Sequence, residues 1–100
     1  MEDVNMEVMV KTTVRDIQSA LRRLTGNFSY LIKGQTGLYA AIHQIISRMK
    51  TEKLLQEWWI SSYSESNDFS ERNVEINLRF DDPVGGLQAA RDFEQVVATP

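Results

Sequence analysis

Two stretches, one near each end of the chain, alternate apolar and polar residues with a period of two. In "VNMEVMVKT" Val4, Met6, Val8 and Val10 fall on one side, and Asn5, Glu7, Met9 and Lys11 on the other. In "NVEINLRF" Val74, Ile76, Leu78 and Phe80 point one way, and Glu75, Asn77 and Arg79 the other. Successive side chains of a strand project to opposite faces, so this rhythm predicts half-buried strands over 4–11 and 73–80. One face of each is apolar and needs a covering layer, which the rest of the chain must supply.

The helical segments carry their own boundary signals. Thr12 or Thr13 precedes "VRDIQSALRRL", where Val14, Ile17, Ala20, Leu21 and Leu24 recur at steps of three and four, and Gly26 follows with Arg22 and Arg23 in the last turn. A hydroxyl cap, an amphipathic stripe and a terminal glycine predict a helix over 14–25. A second helix is predicted over 37–50, with Thr36 as its cap and Leu38, Ile42, Ile45, Ile46 and Met49 as its stripe. A third is predicted over 83–97, capped by Asp82, opened by Pro83 and buried through Leu87, Ala90, Phe93, Val96 and Val97. Gly85 and Gly86 weaken its first turn and mark a close approach of backbone.

Two segments are open at this level. "NFSYLIK" has strand composition and is a candidate strand over 27–33. Beyond Lys50 the stripe of the second helix loses phase: Glu52, Lys53 and Gln56 stand where apolar residues would continue it. Either a helix resumes near Thr51 and runs to about residue 60, or "EWWISSY" is a strand over 57–63. Adjacent residues lie about 100° apart on a helix and on opposite faces of a strand, so Trp58 and Trp59 cannot share one narrow buried stripe in either case. The fold class expected is α+β: a small single sheet packed by three helices, in one globular domain of 100 residues.

Charge is unevenly spread. The net charge is −3, yet residues 1–55 carry +3 and residues 56–100 carry −6. The chain has no cysteine, which excludes disulfides and thiolate-held metal. Acidic residues at the start, and no apolar run near the roughly 20 residues that span a bilayer, point to a cytoplasmic protein with no membrane partner.

Groups suited to catalysis are sparse. His43 lies mid-helix with Tyr39 and Ser47 as its neighbours on the same face, and no acid or nucleophile motif accompanies it. Asp81 and Asp82 are adjacent, but a position just before a helix accounts for both through capping and the helix dipole. Neither a catalytic set, a metal site nor a cofactor site is expected. "KGQTG" places two glycines three apart beside Lys33 ahead of a helix, which reads first as a tight turn and second as an anion-binding helix start. The segment "LIKGQTGLYAAI" resembles the GxxG segment of KH domains, and a strand, polar loop, strand and helix would follow it in the KH order. That resemblance implies single-stranded nucleic-acid binding through Lys33, Gly34, Gln35, Thr36 and Gly37.

The functional expectation is a non-enzymatic protein-interaction module of the inhibitor, adaptor or regulatory-subunit type. It would bind another protein or a second copy of itself through an aromatic patch at Trp58, Trp59 and Tyr63, since large rigid aromatics concentrate at interface cores. The alternative is the KH-like nucleic-acid reading.

Overall fold

The computed structural model describes residues 6–63 and 67–98, with the side chains of Ser62 and Tyr63 outside that description. In chain order the elements are β1 (Met6–Thr13), α1 (Val14–Thr25), α2 (Gly34–Ser47), α3 (Thr51–Leu54), β2 (Leu55–Tyr63), β3 (Asn73–Phe80) and α4 (Pro83–Ala98). A short 3₁₀ turn at Phe69–Glu71 precedes β3. The strands form one antiparallel sheet in the order β1-β3-β2, with β3 in the centre.

Its composition explains that central position. The inward residues Val74, Ile76, Leu78 and Phe80 are all completely buried, as is Val10 of β1. They meet Val14, Ile17, Ala20 and Leu21 of α1, Leu38, Ala41, Ile42, Ile45 and Ile46 of α2, and Ala89, Ala90, Phe93 and Val97 of α4 in one apolar cluster. Fully burying a Val, Leu, Ile or Phe side chain contributes about 1.5–3 kcal/mol, so this one-sided cluster is the main stabilising feature of the fold. Two threonines tie α4 down: Thr12 Oγ1 donates to the Val97 carbonyl at 2.6 Å, and Thr51 Oγ1 to the Ala89 carbonyl at 3.3 Å.

The expected caps are present. Thr13 Oγ1 accepts from the Asp16 amide at 3.1 Å, and Gly26 closes α1 in a left-handed conformation. Asp82 Oδ1 accepts from the Val84 amide at 3.1 Å. The close approach marked by the glycine pair is real at Gly86, where a Cβ would lie 2.6 Å from Cβ of Phe80. Only a residue without a side chain lets α4 settle there on the end of β3.

Three expectations are corrected. Residues 27–33 enter no ladder; Gln18 and Arg22 of α1 hold them instead, the Ile32 amide donating to Gln18 Oε1 at 2.8 Å and Arg22 Nε donating to the Tyr30 carbonyl at 2.9 Å. Ile32 is buried, but Phe28 and Leu31 are exposed. The "GQTG" segment is not a turn ahead of a helix capped by Thr36. It is the first turn of α2, entered at Gly34 with φ 69°, and Lys33 stands at the cap position with no side-chain cap bond. Finally, the helix does not run on to residue 60: after α3 the backbone turns extended at Leu55 and continues as β2.

Candidate functional site

The sheet has two faces of unlike character. The buried apolar residues of the helices gather on one, and the other carries Met9 and the charged residues of the strands. Backbone register defines this outer face row by row. Across its middle, Met9 of β1 stands opposite Asn77 of β3, which stands opposite Trp59 of β2. One row is Glu7, Arg79 and Glu57; on the other side of the middle row Lys11 faces Glu75.

The two tryptophans separate as strand geometry requires. Trp58 pairs with Leu78, packs partly buried against the apolar cluster, and has its ring centroid 5.7 Å from that of Tyr39 on α2. Trp59 is half-buried on the outer face, with the Arg79 guanidinium 5.2 Å from its ring centroid. A cation over an indole face is attracted by the ring quadrupole, so Arg79 holds the ring against the sheet.

Arg79 is the electrostatic hub of this face. Its Nε and Nη2 donate to Glu7 Oε1 at 3.1 and 2.7 Å, and its Nη1 pairs with Glu57 Oε1. The bond to Glu7, reinforced by the field of both carboxylates, holds the guanidinium pKa above its ordinary value.

At the centre, Asn77 is only 8 % exposed, and its Nδ2 is buried without a hydrogen-bond partner. A buried amide with no partner costs about 1–3 kcal/mol, so such groups are rare in a structure at rest. Met9 beside it is 46 % exposed. The outer face thus combines an apolar row, a desolvated donor lacking an acceptor, and charged rows on either side.

Of the residues expected at a partner surface, Trp59 lies on this face and Trp58 does not. Tyr63 stands opposite Val74 in backbone register, and its side chain lies outside the described residues. Met9, Asn77 and Arg79 complete the face. Their signal in the sequence was their place among the outward positions of the two alternating strands, where Met9 is an apolar residue between Glu7 and Lys11.

The residues of the nucleic-acid expectation stay together at the start of α2. Lys33, Gly34, Gln35 and Thr36 are exposed and Gly37 is half-buried. His43 is exposed on α2, where the Ser47 hydroxyl donates to its carbonyl at 2.9 Å. No group of three or more His, Cys, Asp or Glu side chains suited to a metal ion occurs among the described residues, and none of their helices is long and apolar enough to cross a membrane. Comparison with protein-family models, curated proteins and solved structures finds no match to this chain.

Proposed function

We propose that this chain is a non-enzymatic protein-interaction module, of the inhibitor, adaptor or regulatory-subunit type, that binds a protein surface through the outer face of its sheet. The observation that carries this reading is the row Met9–Asn77–Trp59, in which a 46 % exposed Met9 and a half-buried Trp59 flank Asn77 on the face away from the helices. A partner seated there would remove Met9 and Trp59 from water. That burial favours binding, since a tryptophan desolvated in an interface commonly contributes about 2 kcal/mol or more. A cytoplasmic setting and a partner other than a membrane go with this reading.

Paired baits test it. Wild-type chain and Trp59→Lys, each shown folded by circular dichroism, are compared for the proteins they retain from nuclease-treated extract. A protein held by wild type and lost from Trp59→Lys supports the reading; identical retention by the two baits contradicts it.

A second reading is favoured by the order of elements. From Lys33–Gly37 at the start of α2 the chain runs helix, short helix, strand, loop, strand, helix, which keeps the strand, loop, strand, helix order that the KH resemblance implies. Under it, single-stranded oligonucleotide would bind with a steep salt dependence and be lost on replacing Gly34 and Gly37 by Asp. Anisotropy of a labelled oligonucleotide decides between the two.

A further inference from the structure

The charges of the outer face are arranged so that the face fits itself. About the middle row Met9–Asn77–Trp59, β1 carries Glu7 two residues to one side and Lys11 two residues to the other, while β3 carries Arg79 and Glu75 with the opposite order of sign. We infer that the occupant of this face is a second copy of the chain, packed sheet on sheet about a two-fold axis that lies between the sheets and runs across the strands along that row. This rests on the reading of the outer face as an interaction surface.

Rotation about such an axis lays each strand over the same strand of the other copy and reverses its direction. Glu7 then lies over Lys11 of the second copy, Lys11 over its Glu7, Arg79 over its Glu75 and Glu75 over its Arg79. A two-fold axis along β3 instead would set Arg79 over Arg79, Glu75 over Glu75 and Glu7 over Glu57, like charges at each, and would leave Lys11 over the Ser62 position with no opposite charge. The register therefore selects one of the two symmetric packings and disfavours the other.

The geometry of packed sheets accommodates this. The charged residues lie two positions from the axis, about 7 Å, and the roughly 30° angle between aligned sheets displaces them by about 3–4 Å, within reach of Lys, Arg and Glu side chains. Asn77 lies on the axis, 8 % exposed in each copy. Trp59 would then lie over the second copy's Trp59 and Met9 over its Met9, each leaving water. The strands make a face of about 26 by 15 Å, so the two copies together bury about 800 Å², below the usual range of specific interfaces, and the dimer expected is weak, with a dissociation constant on the order of micromolar or above.

Charge reversal with mixing tests the arrangement. In Lys11→Glu the β1 row is acidic at both ends, and in Glu7→Lys it is basic at both ends. Sedimentation velocity over a concentration series should show wild type dimerising, each variant alone weakened by at least about 30-fold, and an equimolar mixture of the two recovering a dimer within about 10-fold of wild type. Recovery on mixing cannot come from misfolding of either variant. A wild type that stays monomeric at the highest concentration, or a mixture no tighter than its components, overturns the inference. If that happens while Trp59→Lys still loses a protein that wild type retains, the outer face serves a different partner; if neither association nor Trp59-dependent binding is found, both readings fall.

Discussion

Trp58 and Trp59 are neighbours in the chain and belong to different worlds. Trp58 is packed between β3 and Tyr39 of α2 and is part of what makes the helical layer adhere to the sheet. Trp59 lies on the far side among charged residues, under the guanidinium of Arg79, next to an amide that has no partner. The inner face is completed within the chain: four inward residues of β3 have no exposure at all. On the outer face a polar group at the centre is desolvated without being satisfied. A surface built only for contact with water would put an exposed polar group there, and one built as core would put an apolar one. An unsatisfied amide between apolar neighbours fits a face completed by something else.

The contrast is broken most forcefully from the inner side. Phe80→Ala removes a fully buried ring at the end of β3, and chemical denaturation should show a loss of about 3–5 kcal/mol. The tryptophans sharpen the comparison: Trp58→Ala should cost about 2–3 kcal/mol, reduced from the full core value by its partial burial, whereas Trp59→Ala should cost under about 1 kcal/mol in dilute protein. Equal losses at the two positions would mean that both faces are structural. Gly86→Ala drives a methyl into Phe80 and should destabilise by about 1–3 kcal/mol, with the shift readable in the same denaturation curves.

Asn77→Val tests the outer face from within. It replaces the orphan amide by an apolar group of strand-forming shape, so the dilute protein should be unchanged or stabilised by up to about 1 kcal/mol, although the position is buried. A loss of stability there would show that the amide is already satisfied in the monomer.

The smallest expected effect lies away from both faces, at Asp68. Hydrogen bonds from the Ser70 hydroxyl and amide hold its carboxyl below the usual aspartate value. A depressed folded-state pKa contributes stability that is present above the unfolded-state value and is lost as pH falls through the folded one. An NMR titration should place Asp68 below the ordinary aspartate range, and Ser70→Ala should move it back up.

How legible each part was in the sequence follows the same division. β3 was read with its observed bounds, because every inward residue is apolar and every outward one polar. The helix over 14–25 was equally plain, since Thr13 and Gly26 cap it in the sequence as they do in space. β2 was ambiguous for a physical reason. Two register shifts, between Leu55 and Glu57 and between Ile60 and Ser62, each insert a residue, so the alternation survives only over 57–60. With its period of two interrupted, the spacing of Leu54, Leu55, Trp58 and Trp59 imitates a helix. The segment 27–33 misled in the opposite sense: it has strand composition, but side chains of α1 supply hydrogen bonds that a ladder would have provided. As for the outer face, the sequence showed that the indoles must diverge. It could not show which of them faced outward, nor that Met9 and Asn77 would align with it, because alignment across strands depends on register.

The most direct test follows the two indoles separately. Trp58→Phe and Trp59→Phe each leave one tryptophan, whose acrylamide quenching is measured in protein well below and well above the expected dissociation constant. The remaining Trp59 should lose accessibility as concentration rises, while the remaining Trp58 keeps the same quenching throughout. Quenching of Trp59 that does not change with concentration, or that changes equally for both indoles, would contradict the claim that one copy's outer face is covered by another's.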